Sequence, residues 1–159
     1  MNTFTVSFFG HREISQPQLV EEQLEKTVRE IIATKEYAEF LVGRDGEFDL
    51  LAASVVRRTA KKLDYGNCAL VLVLPYMTAE YQKNRQSFHN YYDEVQVCAE
   101  SEAAHFKAAI QIRNRSMVER SDLIVCCIEH NSGGAYLTVK YAKQQKKKIL
   151  NAANACNKM

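Results

Sequence analysis

Several features that mark special classes of protein are missing from this sequence of 159 residues. No run approaches the ~20 apolar residues that span a bilayer, and the first residues lack a signal-peptide pattern. We therefore expect a cytoplasmic protein without membrane contact. The formal net charge is only +2, which argues against nucleic acid or a membrane surface as a partner. Repeats, low-complexity tracts and linkers are also absent, so residues 1–159 are expected to form one domain.

The cysteines and histidines match no metal-binding pattern. The five cysteines are Cys68, Cys98, Cys126, Cys127 and Cys156. Their number is odd, and two of them are neighbours inside an apolar run, where side chains of a strand point to opposite faces. These two are interpreted as small core residues, and we expect no metal, no cofactor and no stabilising disulfide. The histidines beyond His11, which are His89, His105 and His130, are interpreted as structural residues.

The chain does contain alternating strand and helix patterns. Unbroken apolar runs, such as CALVLVLP and DLIVCCIE, are typical of parallel strands that are covered on both faces. Strands are predicted at residues 3–9, 38–42, 68–75, 122–129 and 147–151, with a further short one near 94–98. Helices are predicted at residues 18–32, 50–63, 101–121 and 133–145, and a helical turn and a loop after residue 76. This order predicts a doubly wound, mostly parallel, Rossmann-like α/β fold with helices on both faces.

Three polar loops that contain glycine follow predicted strands. They are GHR at residues 10–12, GRDGEFD at 43–49 and HNSGG at 130–134. Ligands of open α/β sheets bind outside the carboxyl ends of the strands. Glycine lets backbone N–H groups approach an anion, and the N-terminus of the following helix adds a favourable dipole. The three loops together predict one cavity for a phosphate-bearing ligand.

The loops belong to longer blocks that resemble a known family. FFGHRE, VGRDGEFDLLAASVV, IRNRSMVERSDLIV and SGGAYLTVKYA resemble, in this order, the blocks of the SLOG superfamily. The resemblance is strongest to its small bacterial and phage branch, which carries GHR after the first strand. The superfamily consists of Rossmann-like domains that bind nucleotides or their derivatives, and it includes the LONELY GUY phosphoribohydrolases and the DNA-processing protein family. It implies a nucleotide-derived ligand, such as an ADP-ribose-like molecule or a nucleoside phosphate, and allows a homodimer.

The resemblance also implies a set of ligand-binding residues. They are Gly10, His11, Arg12, Gly43, Arg44, Gly46, Asp49, Arg113, Asn114, Met117, Ser132, Gly133 and Gly134. The arginines of this set would neutralise phosphate, while backbone amides of the glycine loops would hold it. We therefore expect an electropositive cavity in which Asp49 is the main acidic counterweight.

One departure from the family pattern concerns catalysis. The phosphoribohydrolases have a glutamate on the helical turn after their glycine pair, whereas Tyr141 stands there in this chain. Binding or sensing of the ligand is therefore favoured over the alternative, an N-ribosyl hydrolase. In that alternative, Asp49 is the candidate catalytic residue, and Glu47 is the other acid that could serve. Either carboxylate would activate water or stabilise an oxocarbenium-like centre.

Two structural alternatives stay open. A scaffold without a ligand would need GHR only as a turn, and Asp49 only as a first-turn residue that complements a helix dipole. The tyrosines of residues 76–92 could pack against the core or form a lid over the cavity.

Overall fold

A parallel sheet with helices on both faces forms the framework of residues 2–153, which are the residues that the computed structural model describes. The strands are β1 (Thr3–Gly10), β2 (Tyr37–Val42), β3 (Cys68–Leu74), β4 (Glu94–Val97), β5 (Leu123–Cys127) and β6 (Lys148–Asn151). The helices are α1 (Pro17–Thr34), α2 (Glu47–Leu63), α3 (Ala79–Lys83), α4 (Arg85–Tyr91), α5 (Ala99–Glu102), α6 (Phe106–Glu119) and α7 (Gly134–Gln144). All neighbouring strands run parallel in the order β4-β3-β2-β1-β5-β6, which confirms the predicted α/β fold.

The two faces of the sheet bury separate apolar clusters. Val6 and Phe8 of β1 belong to the cluster that includes side chains of α1 and α2, whereas Phe9 belongs to the cluster with side chains of α6 and α7. Cys127 and Cys126 are divided in the same way, so the prediction that they are core residues on opposite faces is confirmed. The fifth cysteine, at position 156, lies outside the described residues.

The order of the strands places a ligand site beside β1. From β1 the chain moves through β2 and β3 to β4, and it then returns to β5 and β6 on the other side of β1. The carboxyl ends of β1 and β5 therefore flank the point where the strand order reverses. This is the place at which open α/β sheets bind their ligands. None of the helices within residues 2–153 combines the length and the apolar character that a membrane span requires.

The region between β3 and β4 differs from the prediction. It contains two short helices, α3 and α4, where one helical turn and a loop were expected. Tyr81 and Tyr92 are buried in the core cluster that lies under α1 and α2. This burial favours the packing interpretation of the tyrosine-rich segment over a lid.

The helix predicted at residues 101–121 is divided into α5 and α6. His105 precedes α6, and its Nδ1 accepts a hydrogen bond from the N–H of Lys107 at 3.2 Å. Ser101 donates through its hydroxyl to the carbonyl of Pro75, which fixes α5 to the end of β3. Because a side chain near a helix start competes with continued helix hydrogen bonding, a new helix begins at Phe106.

Candidate functional site

A cavity of about 480 Å³ lies at the carboxyl edge of the sheet, between the loops that follow β1, β2 and β5. Cavities of about 300–1,000 Å³ are typical of small-molecule sites. Nine residues of the expected set lie on its lining: Gly10, His11, Arg12, Gly43, Asp49, Arg113, Asn114, Gly133 and Gly134. The three glycine loops thus meet at one place, and ligand binding by these residues stays a prediction.

Four residues of the expected set lie outside the lining. Arg44 forms an ion pair with Glu80, its Nε lying 2.9 Å from the carboxylate, and Met117 is buried in the core under α6 and α7. Ser132 has its hydroxyl 3.0 Å from Nδ1 of His130, so it supports the loop after β5. Gly46 packs against Arg12. The structure therefore gives each of them a contact elsewhere, which the sequence pattern did not show.

The glycines of the first two loops are required by protein contacts. A Cβ on Gly10 would collide with the ring of Phe48, and a Cβ on Gly46 would collide with the backbone of Arg12. At Gly43, a Cβ would come within 3.0–3.1 Å of carboxylate oxygens of Asp45 and Asp49. These glycines therefore allow close packing within the protein, and the expected approach of their backbone amides to an anion stays a prediction.

Two hydrogen bonds, one between backbone groups and one to a side chain, join the loop after β1 to the start of α2. The N–H of Glu47 donates to the carbonyl of Arg12 at 2.8 Å, and the N–H of Ile14 donates to the Glu47 carboxylate at 3.4 Å. Glu47 therefore serves this junction and does not line the cavity. The exposed side chain of Arg12 makes no ion pair and no hydrogen bond with residues 2–153, so its guanidinium stays available to a ligand.

Arg113 is 1 % exposed and joins three parts of the site. Its Nη1 donates to the carbonyl of Val73 at 3.0 Å, its Nε donates to Asn114 Oδ1 at 3.0 Å, and its Nη2 forms an ion pair with Asp45. Asn114 in turn donates to Thr138 of α7 at 3.0 Å. These bonds use most of the donor capacity of the guanidinium, so Arg113 fixes the geometry of the cavity and adds little free positive charge.

Asp49 is a buried carboxyl group in the first turn of α2. Its Oδ2 accepts a hydrogen bond from the N–H of Asp45 at 2.9 Å. Burial raises the pKa of Asp49 to about 7, and the nearby Asp45 carboxylate adds to the rise, while that hydrogen bond and Arg113 oppose it. A carboxyl group that titrates near neutral pH can both accept and donate a proton at the cavity.

His11 and His130 form a stacked pair at the cavity. Their ring centroids are 3.7 Å apart and the planes differ by 8°. Nε2 of His11 accepts hydrogen bonds from the N–H groups of Glu129 and His130, at 3.0 and 3.4 Å. Burial lowers the pKa of His11, the charge of His130 lowers it further, and Glu129 opposes this change. The structural interpretation of His130 was therefore incomplete, because its ring also lines the cavity.

Helix α7 begins at the cavity with Gly133 and Gly134. The φ angle of Gly133 is 93° and its ψ angle is 172°, a conformation that is essentially restricted to glycine. The first N–H groups of a helix have no partner within it, and they carry a partial positive charge. The N-terminus of α7 and the guanidinium of Arg12 therefore form the positive part of the lining.

The rest of the lining is more acidic than expected. Three carboxyl groups, those of Glu13, Asp45 and Asp49, lie on it, and Arg113 is already paired with Asp45. The cavity was expected to be electropositive, with Asp49 as its main acidic residue. This expectation is wrong for this part of the lining, because Glu13 and Asp45 lie on it as well. Sequence reasoning missed Glu13, Asp45, Ile110, Gln111 and His130. Glu13 directly follows the chosen loop GHR and Asp45 lies inside the chosen loop GRDGEFD, but Ile110 and Gln111 lie within α6 and gave no signal.

No group of three or more His, Cys, Asp and Glu side chains within residues 2–153 is placed to hold a metal ion. The cavity offers hydrogen-bond donors, carboxyl groups and apolar surface from Ile110 and Phe9. It can therefore recognise a small ligand with an anionic group and a polar, partly apolar remainder.

The order of the parallel strands and the helices on both faces are those of a Rossmann-like α/β domain. Two solved structures share this fold. DNA processing protein A from Streptococcus pneumoniae matches with a TM-score of 0.63 at 11% identity, over 92% of this chain and 49% of that chain. DNA processing protein A from Helicobacter pylori matches with a TM-score of 0.61 at 15% identity, over 92% of this chain and 63% of that chain. The predicted SLOG-like fold is thereby confirmed.

The similarity is one of structure. No protein-family model matches the sequence, and a search of curated proteins finds no match. The chain spans about half the length of the Streptococcus pneumoniae protein and 63% of the Helicobacter pylori protein. At these identities the comparison shows the fold alone.

The expectation that nucleic acid is an unlikely partner is contradicted by the second comparison. The Helicobacter pylori structure concerns the single-stranded DNA binding mode of that protein. A net charge of +2 averages over the whole chain, so it gives no information about local positive regions such as Arg12 and the start of α7. Composition alone was therefore an insufficient basis for judging nucleic acid an unlikely partner.

Proposed function

We propose that this chain binds a phosphate-bearing nucleotide in the cavity beside β1. One observation carries the proposal: the unpaired guanidinium of Arg12 and the N-terminus of α7 line the same cavity. A guanidinium binds phosphate through charge-assisted hydrogen bonds, and a helix N-terminus offers N–H groups and a favourable dipole. The remainder of the nucleotide would contact Ile110 and the acidic part of the lining.

Two sources can supply this chemistry. One is a free nucleotide derivative, such as an ADP-ribose-like molecule or a nucleoside phosphate, for which the chain would act as a binding or sensing module. The other is a nucleotide unit of single-stranded DNA, which the structural similarity to the Helicobacter pylori protein brings into consideration. Both would place a phosphate at Arg12. Binding of DNA should depend more steeply on salt, because a strand brings several phosphates to the protein.

The test compares these sources directly. Titration calorimetry and thermal shift measure binding of AMP, ADP-ribose, a cyclic dinucleotide, inorganic phosphate and a 20-nucleotide oligo-dT. Arg12→Ala is expected to weaken the nucleotide that binds by about ten- to a hundredfold, since a hydrogen bond to a charged group contributes about 1.5–3 kcal/mol. Its own unfolding temperature should stay near that of the wild type, because the side chain is exposed.

Arg29→Ala is the matched control, because Arg29 is an exposed arginine of α1 outside the cavity. A steep loss of oligo-dT affinity with salt, without binding of free nucleotides, would assign the site to DNA. The proposal fails if none of these probes binds, or if Arg12→Ala and Arg29→Ala bind the nucleotide equally well.

A second candidate function is favoured by Asp49 alone. A carboxyl group of pKa about 7 on the lining supports hydrolysis of an N-ribosyl bond, with Asp49 protonating the leaving base or activating water. Glu47, the other acid considered from the sequence, is engaged by the N–H of Ile14 instead. Chromatography of AMP and ADP-ribose after incubation with the protein would detect a released base. Asp49→Asn should abolish that release.

A further inference from the structure

His11 connects the end of β1 to the loop after β5, here called the pair loop and defined as residues 128–133. The base of this loop is fixed by Asn151, whose side chain accepts from the N–H of Ile128 at 3.1 Å. Its middle is fixed by His11, whose Nε2 accepts from the N–H groups of Glu129 and His130. Its end is Gly133, where an added Cβ would meet no atom within 4 Å. Within residues 2–153, His11 is thus the last side chain from outside the pair loop that hydrogen-bonds to it before α7.

The two N–H groups determine the protonation state of the ring. An imidazole nitrogen that accepts hydrogen bonds carries no proton, so the single proton of a neutral His11 must lie on Nδ1. Nδ1 has no hydrogen-bond partner within residues 2–153, and it is not among their buried unpaired side-chain atoms. Its N–H is therefore left for a group in the cavity.

We propose that neutral His11 is a positioning residue, which holds the pair loop through Nε2 and keeps the N-terminus of α7 at the cavity. This inference rests on the proposed nucleotide function for its effect on binding. Protonation of Nε2 would place an N–H against the N–H groups of Glu129 and His130, and those two contacts would become repulsive. The pair loop would then move away, and a bound phosphate would lose the amides at the start of α7.

Charged and titratable groups surround His11 in the cavity and on the pair loop. Those that share the cavity lining with it are Arg12, Glu13, Asp45, Asp49, Arg113 and His130, and Glu129 of the pair loop also acts on its charge. The stacked His130 opposes a second positive charge at 3.7 Å between centroids, whereas the Glu129 carboxylate favours it. Glu129 is itself engaged by the N–H of Ser15 at 3.1 Å. Burial and the charge of His130 outweigh the effect of Glu129, so the pKa of His11 is lowered.

The direction of the pH effect distinguishes His11 from the other titrating group. A falling pH protonates His11 and should weaken anion binding. The same change protonates Asp49, whose pKa is about 7, removes a negative charge and should strengthen anion binding. ADP-ribose is the suitable probe, because its pyrophosphate diester has no terminal phosphate with a second pKa near 6, unlike AMP. A loss of its affinity at acid pH therefore reports on His11.

Nuclear magnetic resonance tests the positioning role without any ligand. Long-range proton–nitrogen spectra of the imidazoles should show His11 as the Nδ1–H tautomer at pH 7.5. The amide signals of Glu129 and His130 should change with the same midpoint as the His11 ring. An Nε2–H tautomer, or amides that do not follow the ring, would overturn the inference.

Three variants test the effect on binding. Protonation of His11 should lower the affinity for ADP-ribose by up to about tenfold for each pH unit below the pKa of His11 in the free protein, and this loss should level off below its pKa in the complex. Protonation of Asp49 should offset part of the loss in the wild type. His11→Gln keeps an acceptor oxygen that does not titrate, so this acid-induced loss should disappear. His11→Ala removes the acceptor and should bind more weakly at both ends of the range. His130→Ala keeps its backbone N–H, so it should retain the loss with a raised midpoint.

The possible failures are separable. If His11→Gln shows the same acid-induced loss as the wild type, the positioning role is refuted although binding exists. If no nucleotide binds at any pH, the proposed function fails, and the tautomer and amide signals still decide whether His11 holds the pair loop.

Discussion

Replacing Asp49 by asparagine should change how the stability of the fold depends on pH. The pKa of Asp49 in the folded protein, about 7, lies above its ordinary value of 3.8. Asp49 therefore leaves the free energy of unfolding at its full value below pH 3.8, and this contribution is lost as pH rises through 7. This shift of about 3 units corresponds to about 4 kcal/mol, of which about 3 kcal/mol falls between pH 5 and pH 9. Asparagine keeps an oxygen for the N–H of Asp45 and does not titrate. The free energy of unfolding of Asp49→Asn, minus that of the wild type, should therefore rise by about 3 kcal/mol over this range.

Urea unfolding followed by circular dichroism at pH 5, 7 and 9 measures this difference. A constant offset from altered packing at position 49 cancels, because only the change with pH is used. Asp64→Asn is the control, since Asp64 is exposed and has a left-handed conformation that asparagine tolerates. Parallel stability curves for Asp49→Asn and the wild type would refute the argument that burial of a charge dominates at this position.

Four further substitutions test the packing of the site by urea unfolding. Gly10→Ala should cost about 1–3 kcal/mol, because its Cβ collides with the ring of Phe48, and a variant as stable as the wild type would contradict this. Arg113→Met leaves a buried carbonyl and a carboxylate unpaired and should cost about 3–5 kcal/mol, whereas a cost below about 1 kcal/mol would mean that the ion pair is not formed. Gly133→Ala should cost about 1–3 kcal/mol from backbone strain alone. Gly134→Ala, which meets only the end of a flexible side chain, should cost less, and the reverse order would refute the assignment.

The fold was predictable because its strands are buried on both faces. The apolar runs that became β3 and β5 leave little choice of structure, and glycine-bearing loops after three strands mark the edge of the sheet. The break between α5 and α6 was not predictable, because it depends on a side-chain cap from His105 and on a contact between Ser101 and the distant Pro75. Apolar periodicity gives no information about such contacts.

The site was predictable in its position and less so in its parts. Residues next to strand ends, such as Arg12 and Gly133, were found because the topology of the sheet brings strand ends together. The packing contacts of Gly10 and Gly46 were not predictable, because the sequence does not distinguish a glycine that a phosphate requires from one that a neighbouring segment requires. The stacking of His130 on His11 joins positions that are far apart in the sequence, and no local pattern records it.

The charges of the lining decide how a nucleotide would be oriented if the proposed function holds. Arg113 and Arg12 both reach the cavity, but Arg113 is paired with Asp45 and lies close to the same glycine as Asp49. Two like charges about 4 Å apart repel by about 4 kcal/mol at an effective dielectric constant of about 20, so ionised carboxylates would oppose a phosphate beside Arg113. A phosphate beside Arg12 and α7 meets no such pairing, and carboxylates instead suit hydroxyl groups that donate hydrogen bonds. If the proposed function holds, we therefore expect the phosphate at Arg12 and the sugar at Asp45 and Asp49, an orientation that would also bring an N-ribosyl bond near the titrating carboxyl group.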